Sequence, residues 1–166
     1  MPEKRTLERA RKDKRDGKAP STQAGEFVKE EMDHVREGKH GARSAKQAIA
    51  IGLSKARRAG VKLPPPKKGT TSERTRTQAA RDEAKGSGPS RPVSRKRSRA
   101  VSGALKREGH AAASHTALSR QGRESARMRG AVDRRQAAQK AVRTKGSAGR
   151  KSAAKTAART RARRSQ

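Results

Sequence analysis

The side chains of this 166-residue chain with chemistry to offer are four histidines, one run of carboxylates and a large excess of arginine and lysine. His34 and His40 flank a predicted turn, and His110 and His115 lie five apart, which does not put both on one helix face. No metal site is expected from them. Glu26, Glu30, Glu31, Asp33 and Glu37 could pass for a carboxylate cluster able to hold a cation. With Lys29 and Arg36 among them, they are more simply the solvated face of a helix, suited to dock a basic partner or the chain's own basic arm. The serines fall in caps, linkers and basic tracts, without a Gly-x-Ser-x-Gly elbow, a phosphate-binding loop or a metal-ligand motif. There is no cysteine, so thiol chemistry, disulfides and cysteine-based zinc fingers are excluded. The chain is expected to be no enzyme and to carry no cofactor.

The charge is more telling. Lys and Arg number 46 against 15 Asp and Glu, a net charge of +31. Residues 1–66 carry 17 basic and 9 acidic side chains, whereas residues 67–166 carry 29 and 6, a net +23 in the second part. A chain of this charge repels itself and seeks a polyanion, which it binds by displacing condensed counterions. The nucleic-acid contacts are expected in the arm at Arg95, Lys96, Arg97, Arg99, Lys106, Arg107, Arg134, Arg135, Arg150, Lys151, Lys155, Arg159, Arg161, Arg163 and Arg164. Lys46, Lys55, Arg57 and Arg58 add a basic face nearer the N-terminus. Phe27 is the one aromatic residue, so base stacking of the kind single-strand binders use is excluded. Ser94, Ser98, Ser102 and Ser152, set among these cations, would weaken phosphate binding if phosphorylated.

Elements must hold these groups in place, and the spacing of apolar residues predicts which. Glu3 to Asp16 forms a charged N-terminal helix within residues 1–20, ended by Gly17 and Pro20. Ala24, Phe27, Val28, Met32 and Val35 then make a helical stripe, started by Ser21 or Thr22 and ended at Gly38 or Gly41. Ser44-Ala-Lys-Gln47 is a capping box, and Ala45, Ala48, Ile49, Gly52, Leu53 and Ala56 line one face behind it, up to Gly60. Residues 21–63 are therefore a helical hairpin whose core is Phe27, Val28, Met32, Val35, Ile49 and Leu53, with Val61 and Leu63 folding back. So small a core does not offset the ordering of some forty residues. It needs another helix, a second copy or a protein partner.

Pro64, Pro65 and Pro66 open a Pro/Gly/Ser linker over 64–90, with a short helix at Gln78–Lys85, and residues 91–166 form a basic low-complexity arm. Within the arm Val93, Val101, Ala104 and Leu105 give only a weak stripe. Leu, Ile, Val and Phe total 15, about 9% of the chain and well under the roughly 20% of ordered domains. The predicted fold class is all-α and largely disordered, a small hairpin with a long basic arm. No apolar run is long enough to span a bilayer, and Met-Pro-Glu-Lys-Arg has no secretory apolar stretch. No membrane association is expected.

The run from Lys46 to Gly60, KQAIAIGLSKARRAG, preceded by Gly38-Lys-His-Gly-Ala-Arg-Ser44, resembles a family of small basic bacterial proteins of uncharacterised activity built around such a helix. The resemblance spans Ser21 to Leu63 and implies a bacterial source and a core-plus-tail plan. The tract from Ser90 to Gln166 is similar in composition to the tails of linker-histone-like bacterial DNA-binding proteins, though richer in Arg and without their Pro-Ala-Lys repeats. By that analogy the arm binds duplex DNA without sequence preference, in a nucleoid-associated, architectural role in the bacterial cytoplasm. The alternatives are an RNA-binding or ribosome-associated protein, and a protein-interaction module whose arm is only a polyanion anchor.

Overall fold

In the computed structural model, which describes residues 2–89 and 94–164, seven α-helices and one 3-10 turn follow one another, and no strand forms among the described residues. The hairpin is the centre. Helix α1 (Lys4–Arg15) precedes α2 (Pro20–Arg36), which starts ahead of Ser21 and Thr22 because Pro20 occupies the first turn and Ala19 the cap position. A proline there loses no helical hydrogen bond. Gly38, at φ 73°, turns the chain out of α2. Helix α3 (Ala45–Arg58) opens on Ser44, whose Oγ accepts from the Gln47 N–H at 3.2 Å. Gln47 Oε1 accepts in return from the N–H of Arg43, at 2.8 Å, one residue ahead of the usual capping-box partner.

The apolar stripes of α2 and α3 meet as their spacing predicts, and other parts of the chain complete them. Phe27 and Ala24 pack with Ala56 and Val61, closed by Leu7 and Ala10 of α1 and by Leu53 and Leu63. Met32 and Val35 pack with Ala42, Ala48, Val28 and Ile49, closed by Ala112 and Ala113 of the 3-10 turn and by Leu118 of α6 (His115–Met128). Phe27, Met32 and Val35 are buried, while Val28, Ile49 and Leu53 are half-buried at the edges. At Gly52 the two helices touch so closely that a Cβ would lie 2.7 Å from the Cα of Val28. Gly52→Ala must therefore push α2 and α3 apart, a loss of about 1–3 kcal/mol for overpacking, read as a lower urea midpoint in far-UV circular dichroism.

The linker and the arm depart from their predicted form. Helix α4 (Glu73–Ser87) occupies most of the stretch predicted as linker, capped by Ser72 and packed on α3. It approaches the end of α3 so closely that a Cβ on Gly86 would collide with the Arg57 carbonyl. The arm contains α5 (Arg95–Lys106), the 3-10 turn (Ala111–Ala113), α6 and α7 (Ala131–Arg164). Gly41 N–H donates to Leu105 O and Ala42 N–H to Gly109 O, so the end of α5 is stitched to the hairpin loop. Val93 lies outside the described residues. The described chain is thus helical over most of its length rather than largely disordered. A count of large apolar residues misses a core built mostly of alanine, and Ala and Arg are strong helix formers in their own right.

The chain divides into two compact units, residues 1–121 and 122–166. The first holds both clusters. The second holds the end of α6 and α7, whose helix is broken at Gly146 (φ 61°, ψ −178°). Arg134 Nη1 donates to the carbonyls of Ala126 and Arg129, closing the end of α6.

Candidate functional site

Helix periodicity places Glu30 and Glu31 on the flank of α2 that faces α3 rather than water, and both are buried, Glu31 completely. Two buried carboxylates need nearby positive charge or donors. Lys55 of α3 provides the charge, with Nζ 2.5 Å from Glu31 Oε2 and 3.7 Å from Glu30 Oε1. The backbone N–H of Glu3 donates to Glu30 Oε2 at 3.3 Å, tying the start of α1 to α2. Gly38 folds the loop back so that His40 reaches the same place, its Nε2 3.2 Å from Glu31 Oε1 and its Nδ1 3.1 Å from the Gly41 carbonyl. His34, one turn beyond Glu31, stands edge-on to His40 with ring centroids 6.0 Å apart. One donor atom from each of Glu31, His34 and His40 lies within 4.8 Å of the other two. Despite these neighbours, neither Glu31 oxygen is in hydrogen-bond geometry with any group.

At the outer side of this cluster, Glu3 Oε1 accepts from His34 Nε2 at 2.9 Å and from Lys39 Nζ at 3.2 Å. Those hydrogen bonds, from His34 first and then Lys39, hold the Glu3 carboxyl below the usual carboxylate range. Lys39 is raised in turn, by Glu37 and then by Glu3. A lowered acid stabilises the fold above its unfolded-state pKa and loses that contribution as pH falls through the folded value. Glu3→Gln is therefore expected to lower stability at neutral pH, with the gap to the native chain vanishing on acidification below about pH 4.5. Urea midpoints of the two chains across pH 3–7 check this; a gap independent of pH contradicts it.

Another buried carboxylate, that of Asp82, joins α3 to α4. Asp82 Oδ1 accepts from Arg58 Nε at 2.8 Å and Gln78 Nε2 at 3.1 Å, and Oδ2 from Ser54 Oγ at 2.7 Å. Arg57 is itself buried and donates to the carbonyls of Leu63 and Pro64, pinning the segment that enters the triple proline. Burial lowers its guanidinium pKa.

The predicted nucleic-acid residues thus fall into two groups. Lys55, Arg57 and Arg58 hold Glu31, the loop carbonyls and Asp82 respectively, whereas Lys46 is exposed. Arg95, Lys96, Arg97, Arg99, Lys106 and Arg107 are exposed on and just after α5, and Arg134, Arg135, Arg150, Lys151, Lys155, Arg159, Arg161 and Arg163 on α7. Arg164 closes α7, its side chain outside the described set. Glu30 and Glu31, assigned by the charge pattern to a solvated face, are instead the centre of the ion network. The signal for it was the Glu-x-x-His spacing of Glu31 and His34, which puts both side chains on one side of a helix.

Fold and site together define a helical scaffold held by alanine packing and buried ion pairs, followed by a cationic helical tail. Within it, residues 20–68 match a family of unknown function (DUF6496), which spans the hairpin and its proline segment. No curated protein and no solved structure matches the chain. No described helix is long and apolar enough to cross a membrane.

Proposed function

We propose that this protein binds double-stranded DNA without sequence preference, its cationic tail helices neutralising phosphates in an architectural, nucleoid-associated role. The observation that carries this reading is α7, which bears twelve basic side chains against the single acid Asp133 and buries none of its described residues. Gly146 breaks it into pieces of about 22 and 27 Å at 1.5 Å rise per residue, each able to follow a phosphate ridge for a few base pairs. Phosphate contacts of this kind carry no base information. Duplex is favoured over unpaired RNA because Phe27, the single Phe, Tyr or Trp of the chain, is buried in the hairpin and offers no platform on which free bases stack.

The test is a salt titration of the full chain against fluorescently labelled duplex DNA and RNA hairpins; the chain has no Trp or Tyr to report binding itself. About ten phosphate contacts give a log–log slope near −9, with DNA preferred at fixed salt and little difference between DNA sequences. Equal or tighter RNA binding replaces DNA by RNA as the ligand. Weak, salt-insensitive binding to both overturns the proposal.

A further inference from the structure

We propose that Glu31, His34 and His40 form a binding site for a divalent transition metal of the Zn²⁺ type, apart from the cationic tail. Two imidazoles and one carboxylate are a zinc donor set that leaves one coordination position open. Glu31 and His34 have the Glu-x-x-His spacing by which a single helix offers two ligands, and the hairpin loop brings His40 as the third. Zinc–ligand bonds of about 2.0–2.1 Å set tetrahedral neighbours about 3.3 Å apart. The 3.2 Å between His40 Nε2 and Glu31 Oε1 already has that spacing, and the rest lie within 4.8 Å, a gap that side-chain rotation closes.

Two independent features point to a cation here. Glu31 is fully buried, and its oxygens meet Lys55 Nζ and His40 Nε2 without hydrogen-bond geometry to either, an arrangement that a metal on Oε1 would complete. Each ligand also has the outer partner that metal sites use to orient it. The Gly41 carbonyl accepts from His40 Nδ1, which leaves Nε2 with its lone pair toward Glu31. The Glu3 carboxylate accepts from His34 Nε2 and leaves the Nδ1 lone pair of that ring. Lys55 holds Glu31 Oε2 and frees Oε1 to bind in monodentate fashion.

Co²⁺, a spectroscopic substitute for Zn²⁺, is titrated into the full chain after treatment with EDTA and removal of the chelator. The expected result is saturation at one equivalent, with visible d–d bands that Zn²⁺ displaces, and paramagnetically shifted signals from two imidazole rings. His34→Ala and His40→Ala should each weaken binding by more than about 100-fold, since each removes a ligand, and Glu3→Gln by about tenfold, as the loss of an orienting partner does, while a His110→Ala, His115→Ala double variant binds as the native chain does. The imidazole signals come from the native chain, so they test the site even where a variant fails to fold. No saturable binding, or unchanged bands in the His34→Ala, His40→Ala double variant, overturns the proposal.

Discussion

Removal of residues 131–166 is expected to lower affinity for duplex DNA about 1000-fold at 0.15 M salt, if α7 makes four or more phosphate contacts. With the association constant scaling as salt to the power −0.9 per contact, each neutralised phosphate is worth a factor of about 5 at that concentration, and four give about 10³. The truncated chain loses twelve cations and one anion, and keeps both apolar clusters, which lie within residues 1–121. Its far-UV spectrum should therefore keep the signal of α1 to α6 while its salt slope flattens by about four units. Charge reversal makes the complementary point: Arg159, Arg161 and Arg163 changed together to Glu should cost more than their change to Gln, because repulsion is added to lost attraction. If the truncated chain binds as tightly as the whole, phosphate recognition lies in α5 or in residues 67–89, and the tail is no more than a solvated helix.

Lys55→Met is expected to destabilise the fold by about 3–5 kcal/mol, the cost of leaving a buried charge without its partner. Methionine keeps the length of the side chain and removes only the charge, so packing loss contributes little. Glu30 and Glu31 then share His40 and the Glu3 N–H alone. For a small domain stable by about 5–15 kcal/mol, that is a third or more of the total, so the urea midpoint should fall steeply in chelator. The double variant Lys55→Met, Glu31→Gln should recover part of the loss, since it removes the charge that was left unpaired. Recovery by the second change marks an electrostatic cost; its absence marks a packing one. Added Zn²⁺ should narrow the gap between Lys55→Met and the native chain if the site at Glu31, His34 and His40 binds it.

Local pattern was enough for the hairpin. The 3- and 4-residue spacing from Ala24 to Val35, the Ser44–Gln47 cap and Gly60 place α2 and α3 within a residue or two, because capping and periodicity are decided by neighbours along the chain. The net +23 of residues 67–166 likewise follows from composition alone. What closes the hairpin did not. Ala112 and Ala113 lie in the stretch predicted as a basic low-complexity arm, yet they seal Met32 and Val35, because a cap on a core can be any small apolar surface brought near by the chain's path.

The site shows the same division more sharply. Glu30 and Glu31 carry the same side chain as Glu26 and Glu37, and charge pattern treats all four alike; burial separates them, and burial depends on where α3 and the Gly38 loop bring Lys55 and His40. Lys55, Arg57 and Arg58 are likewise adjacent cations on one basic helix, but each is turned to a different internal acceptor. Residue type and order by themselves determined α1, α2 and α3, the Ser44 cap and the charge each segment carries. Which charges face water and which are locked in pairs was decided only by the tertiary structure, because buried Glu31 and Asp82 meet partners 24 to 28 residues away in sequence only once α2, α3 and α4 have packed together.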